Sequence, residues 1–282
     1  MAAEIPPAAG KRSRHPGVPR PVRLPVAALL LALLPTSLAL AGPPPDPFAA
    51  RGVRGAFVLL DVSTETWTIV HRDVAGIRFR PHSTFKVPNT LVGLETGVIT
   101  GERFALKWDG VKRDRAEWNR DTDLPAALKH SVVWFYQEVA RRVGPRRMAA
   151  WVEKLGYGNR RIAGAPIDRF WLDGTLRISA IEQVEFLRRL HEHRLPVSRE
   201  HVDLLLRLIE LDRGPGWVLR GKTGLGPEKD GASGWLVGSV DRDGRRYLYA
   251  LVLHGKSTDA LMPLRRPMAE ELLRRFGVLP GT

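Results

Sequence analysis

Apolar residues crowd into short β-rich runs near both ends of the chain and fall into helical spacing between them. Residues 57–62 and 67–71 are two such runs, joined by the polar residues 63–66, and predict a hairpin. Residues 217–219, 234–240 and 247–253 predict three further strands, the last two joined across 241–244, where Gly244 supplies a turn residue. In the middle, Val132, Phe135, Val139 and Val143 fall at i, i+3, i+7 and i+11 on one helix face, and Gly144-Pro145 stops that helix. Ser179 and Glu182 make a capping box, each side chain satisfying a backbone N–H with no intrahelical partner, and Ile181, Val184, Leu187 and Leu190 continue one stripe. Residues 268–276 predict a closing helix. Strands from both ends around a helical middle predict an α+β fold. Its one antiparallel sheet has five or more strands from the N- and C-terminal segments, with a helical region inserted at about 85–200.

Composition narrows the function classes. A chain of 282 residues with 44% hydrophobic content can build a core, and the absence of Cys removes disulfide scaffolds, thiolate metal sites and Cys nucleophiles. The net charge of +14 invites a nucleic-acid reading, but the basic residues are mostly Arg, scattered over the whole length. No basic run is interleaved with aromatics in the way a strand-tracking groove needs, so no nucleic-acid partner is expected. At the N-terminus, Lys11, Arg12, Arg14, Arg20 and Arg23 precede the apolar run 26–34, and Ala39-x-Ala41 offers a small-residue cleavage site. This order predicts a signal peptide over residues 1–41, a linker or N-terminal segment over 42–54 and the functional domain over 55–282. The run is short for a span of about 20 residues, so no stable membrane anchor is expected and the mature protein is expected to be periplasmic or secreted. Monomer and homodimer both remain open.

The candidate chemistry begins with Ser83-x-x-Lys86, whose hydroxyl and amine share a face at the start of a helix, as a nucleophile and its base require. Lys222-Thr223-Gly224 follows the strand expected before it and places an ammonium, a hydroxyl and a bare backbone along a sheet edge. Ser131, at the head of the middle helix, adds another hydroxyl. Ser-x-x-Lys together with Lys-Thr-Gly is a signature of penicillin-recognising serine enzymes. His191, His193 and His201 make a weak metal candidate: i, i+2 spacing points two rings apart, so a solvated helix end and no metal are expected.

Successive motifs carry a closer resemblance: residues 81–89 around Ser83, Gly93 to Gly97, 107–110, Ser131-Val132-Val133, Tyr157-Gly158-Asn159, Phe170-Trp171-Leu172, 176–180, Gln183, Lys222-Thr223-Gly224, Gly234 to Gly238 and Pro263-Leu264-Arg265. In this order the chain, from about residue 55 to its end, resembles the class D (oxacillinase-type) serine β-lactamases. The resemblance implies the β-lactamase/transpeptidase-like fold and hydrolysis of β-lactam antibiotics, small-molecule substrates, through an acyl-serine. It implies Ser83 as nucleophile and Lys86, carrying CO2 as an N-carboxylated lysine, as general base; no other cofactor is implied. An apolar pocket favours the neutral amine this needs. Phe85, Val133 and Leu172 would line that pocket, and the Trp171 indole would donate to the carbamate. Ser131 would pass a proton to the lactam nitrogen, beside the cation of Lys222. Thr223 and Arg265 would bind the substrate carboxylate along the Gly224 strand, and the amides of Ser83 and Leu225 would form the oxyanion hole.

Pro88, two residues after Lys86, is shared with the family and reads as a first-turn proline. Asp173 stands where many members carry Glu, Leu225 where an aromatic is common, and 226–233 reads as a short polar rim loop, so the substrate spectrum is open. Alternatives are a non-hydrolytic penicillin-sensing domain and a cell-wall transpeptidase. Apolar Val133 speaks against the first, and the Trp171 pocket against the second.

Overall fold

A strand that is apolar at every position needs cover on both faces, and the long apolar runs find it in two helical layers. A computed structural model describes residues 45–281; the expected leader lies outside them. In chain order the elements are β1 (Arg54–Asp61), β2 (Thr66–Val70), α1 (Arg72–Ala75), α2 (Lys86–Glu95), β3 (Ala105–Leu106), β4 (Thr122–Asp123), α3 (Leu124–Lys129), α4 (Val133–Val143), α5 (Pro145–Leu155), α6 (Ala180–His191), α7 (Arg199–Leu208), β5 (Glu210–Gly214), β6 (Trp217–Glu228), β7 (Gly231–Arg242), β8 (Arg245–Gly255), α8 (Thr258–Leu261) and α9 (Arg265–Arg275).

The expected α+β architecture is present: a six-stranded sheet ordered β2-β1-β8-β7-β6-β5, antiparallel throughout, with the helices α2 to α7 inserted between its two halves. Because side chains alternate across a strand, Ala56, Val58 and Leu60 of β1 join one core with the inserted helices, while Phe57 and Leu59 join a second core with α9. β8 divides the same way, Ala250 and Val252 to the first core and Leu251 and Leu253 to the second. The β7–β8 turn is Asp243-Gly244 with φ of 49° and 77°, both left-handed as a tight hairpin demands. Ser179 and Glu182 form the capping box on α6, and Val132, Phe135, Val139 and Val143 are all buried.

The structure corrects the sequence reading at three places. β5 was not foreseen: Glu210, Asp212 and Arg213 make it polar, and it is an edge strand with little face to bury. β6 runs from Trp217 to Glu228, so Lys222-Thr223-Gly224 lies inside the strand rather than after it. The stretch 226–233 is no rim loop. β6 and β7 stay paired to Glu228↔Gly231, with Gly226 and Ser233 buried and only Lys229 and Asp230 in the turn.

Gly221 and Gly238 face each other across β6 and β7, and the Tyr249 hydroxyl donates to the Arg220 carbonyl at 3.0 Å above them. A Cβ on Gly238 would stand 2.0 Å from the Arg220 oxygen and 2.6 Å from the Gly221 Cα, so backbone must move to admit it. Gly238→Ala is therefore expected to destabilise the protein by about 1–3 kcal/mol, read as a lowered midpoint in thermal or urea unfolding; an unchanged midpoint would mean that the two strands can separate freely.

Candidate active site

The site begins with a tight turn. Residues 82–85 form a 3₁₀ turn that runs directly into α2, and in that geometry side chains at i and i+3 eclipse. Lys86 Nζ accordingly lies 2.8 Å from Ser83 Oγ. Pro88 is the third residue of α2, where a missing N–H removes no helical bond. The turn is clamped from behind: Thr84 Oγ1 donates to the Pro81 carbonyl at 2.8 Å and accepts from Gln183 Nε2 of α6 at 2.9 Å.

Lys86 is completely buried, and burial holds its amine well below the usual ammonium range, helped by the charges of Lys222 and Arg115. Its surroundings are aromatic. Phe85 stacks on Trp171 with centroids 5.5 Å apart and meets Phe170 edge-on, and the Tyr136 ring centroid is 5.5 Å from Nζ. Trp171 is fully buried, yet its indole N–H finds no acceptor among the described residues. The orphaned Trp171 donor, stacked on the Phe85 that precedes Lys86, and an amine whose charged form burial disfavours together suit a small acceptor covalently held on Nζ.

Above the amine opens a cleft of about 570 Å³. Ser83, Ser131, Val133, Leu172, Thr223, Leu225 and Arg265 line it, so that Val133 and Leu172, expected around Lys86, share a wall with the expected substrate-binding residues. Phe85, Lys86 and Trp171 are buried and do not line it; Lys86 meets it through its bond to Ser83, and Lys222, also buried, through its bond to Ser131. Ser131 sits between α3 and α4 with φ of 55°, a left-handed conformation that costs a non-glycine residue about 1 kcal/mol or more. Its hydroxyl accepts from Lys222 Nζ at 3.1 Å, and the same amine reaches the Thr223 carbonyl at 3.2 Å. Burial, with Arg265 and Arg115 nearby, lowers Lys222 to about 7.

Glycines set the spacing of the two walls. A Cβ at Gly224 would come within 2.8 Å of the Pro81 oxygen, so only glycine lets β6 approach the turn that carries Ser83. At Gly234 a Cβ would press on the Arg265 side chain, whose Nη1 donates to the Gly224 carbonyl at 3.0 Å. Gly221 donates its N–H to Ile209 O, on the β5 side, and strand alternation turns the amides of Thr223 and Leu225 to the same edge, where β5 has ended.

Sequence reasoning missed a second set of cleft residues: Arg115, Trp118, His130 and Met262, which belong to connecting segments without periodicity, and Lys129 at the end of the short α3. It also missed His82, the residue before the nucleophile. His82 is buried with φ of 46°, and its Nε2 lies 3.1 Å from Ser233 Oγ, which donates to Glu228 Oε1 at 2.8 Å. Glu228 also accepts the Arg80 amide at 2.9 Å, and these bonds bring its carboxyl down to about 2, against the opposing effect of burial. The hydroxyl proton of Ser233 is committed to that carboxylate, so neutral His82 carries its proton on Nε2.

The histidines offered for a metal do not converge: among the described residues no group of three or more His, Asp or Glu is placed to hold an ion. His201 pairs with Glu95 at 2.6 Å. His191 is not on a solvated helix end. It is 6% exposed under Arg220, Asp241 and Arg246, and burial lowers it to about 3. An unfolded chain takes up that proton near pH 6.5 while the folded one refuses it, so this residue's contribution is full above pH 6.5 and is lost as pH falls toward 3. His191→Leu is expected to flatten the fall in urea-unfolding stability over that window, and an equally steep fall in the variant would place the acid sensitivity elsewhere.

Known proteins resolve what such a site belongs to. Over residues 55–274 the chain matches the family described as the penicillin binding protein transpeptidase domain, which defines the class as penicillin-recognising. It is 40% identical to β-lactamase OXA-48 of Klebsiella pneumoniae over 83% of this chain and 87% of that protein. Against β-lactamase OXA-10 of Pseudomonas aeruginosa it is 36% identical, over 83% and 88%. The crystal structure of the class D β-lactamase YbXI from Nostoc superimposes with a TM-score of 0.79 at 38% identity, over 82% of this chain and 97% of that one. The chain belongs to the class D serine β-lactamases.

Proposed function

We propose that this protein hydrolyses β-lactams through an ester on Ser83, and that Lys86 works as the N-carboxylated residue. The observation that carries this reading is the fully buried amine 2.8 Å from Ser83 Oγ, together with the unpartnered indole of Trp171, which stacks on the neighbouring Phe85. CO2 held on Lys86 supplies a carboxylate base where the bare chain has none, and Trp171 Nε1 is the donor that would steady it.

Ser83 Oγ attacks the lactam carbonyl carbon while its proton leaves on the Lys86 side. The amides of Ser83 and Leu225, on the two walls, stabilise the negative charge that develops on the carbonyl oxygen. The C–N bond then breaks, and the ring nitrogen takes its proton from Ser131 Oγ, which Lys222 orients at 3.1 Å and which is reprotonated by the proton that left Ser83 on the Lys86 side. The substrate carboxylate is met by the Arg265 guanidinium and the Thr223 hydroxyl. Water next attacks the ester carbonyl, losing its proton on the same Lys86 side, and that proton passes to Ser83 Oγ as the ester bond breaks. Val133 and Leu172 keep the site dry, which favours the neutral amine and so the adduct. Export through the residue 1–41 leader accompanies this reading.

Purified protein is expected to turn over a chromogenic cephalosporin, and Ser83→Ala to abolish both turnover and covalent labelling by a penicillin in intact-mass spectra. Labelling of the variant at full stoichiometry would sink the assignment of Ser83, and stoichiometric labelling of the wild type without turnover would favour a sensor.

A further inference from the structure

Besides Arg265, the cleft lining carries a cation that the proposed reaction leaves unused. Arg115 precedes the short turn 116–118, and its guanidinium carbon lies 5.4 Å from the centroid of the Trp118 ring. That ring is itself fixed, because Trp118 Nε1 donates to the His130 carbonyl at 3.0 Å and the Trp118 carbonyl accepts from Trp134 Nε1 at 2.8 Å. A guanidinium stacked on an immobilised indole is held in place without a carboxylate. Arg113, two residues earlier, pairs with Asp109 at 2.7 Å, whereas Arg115 makes no ion pair with any described residue. Exposed Glu117 feels its charge at longer range.

Arg115, Lys129 and Arg265 all line the cleft, and no Asp or Glu lines it with them. The charge of Arg115 reaches Lys86, Lys222 and Arg265, disfavouring the protonated form of each. One substrate carboxylate is already answered by Arg265 and Thr223. What remains is a surplus of like charge in a partly enclosed space, and a second anion would relieve it.

We infer that Arg115, stacked on Trp118 and backed by Lys129, is a second anion subsite, selecting β-lactams that carry a second anionic group over otherwise identical monoanions. The inference rests on the β-lactam reading above and deepens it. A preorganised guanidinium loses little freedom on binding, so the gain falls mainly in KM.

Benzylpenicillin and its analogue with a carboxylate on the side-chain α-carbon differ by the one charge in question. Steady-state kinetics with both substrates on wild type, Arg115→Met, Arg115→Lys and the remote control Arg160→Gln measure the selectivity. The wild type is expected to favour the dianion, and Arg115→Met to lower the ratio of kcat/KM values, dianion over monoanion, about tenfold through KM. Arg115→Lys keeps the charge without the planar stack and is expected to fall between them. Arg160→Gln leaves the ratio unchanged, and added salt shrinks the wild-type ratio. Losses in Arg115→Met that are equal for the two substrates, or absent, overturn the subsite. Failure of wild type to hydrolyse either penicillin would instead overturn the β-lactam reading, and an unfolding midpoint on each variant separates lost binding from lost structure.

Discussion

Among the described residues the buried Lys86 amine has no counter-charge: its polar neighbour is the Ser83 hydroxyl, and the nearby charges of Lys222 and Arg115 repel a proton. An isolated ammonium in such a place costs several kcal/mol, so burial favours the neutral form of the group. Much of the surrounding structure keeps that amine enclosed. Phe85, Phe170 and Trp171 pack on one another in the core, and half-buried Val133 and Leu172 line the cleft beside Ser83. A neutral amine in a dry pocket reacts with CO2; an ammonium does not. The unpartnered Trp171 donor is the complementary half of the same design, a buried N–H that is unfavourable until an acceptor arrives.

The second requirement is that two walls from distant parts of the chain meet at atomic spacing. One wall is the 82–85 turn, the other the open edge of β6, and the pairing of the sheet halves brings them together. His82 and Ser131 hold left-handed backbones there, and the Glu228 carboxylate, Ser233 and the Trp235 indole, which donates to the Arg80 carbonyl at 2.9 Å, tie the chain before Ser83 to the β6–β7 hairpin. Strained residues persist where packing over-determines them, and here they flank Ser83 and the cleft that Ser131 lines.

Most of the architecture was legible because it rests on periodicity. The two-sided burial of β1 and β8 appears as unbroken apolar runs, and the cap of α6 as Ser179 and Glu182. The candidate site was legible because Ser83-x-x-Lys86 and Lys222-Thr223-Gly224 carry their own spacing. What stayed hidden depends on tertiary context. β5 is polar because it is an edge; 226–233 looks like a loop because Gly, Pro and charges fill a hairpin that is held by His82 and Glu228. His191 looks like a surface residue until β6 and β7 cover it. Arg115 was one Arg among many, and only the stacked Trp118 beneath it marks it out.

The most direct measurement follows CO2 on Lys86. The enzyme is degassed at mildly acidic pH, returned to neutral CO2-free buffer, and assayed with a chromogenic cephalosporin before and after bicarbonate, with a parallel carbon-13 NMR spectrum in labelled bicarbonate. Only the unprotonated amine binds CO2, so acid releases it: activity should be low on return, recover with bicarbonate, and rise together with a carboxylated-lysine resonance that Lys86→Ala lacks. Full activity before bicarbonate with no such resonance would contradict the carbamate and leave Lys86 as a free-amine base.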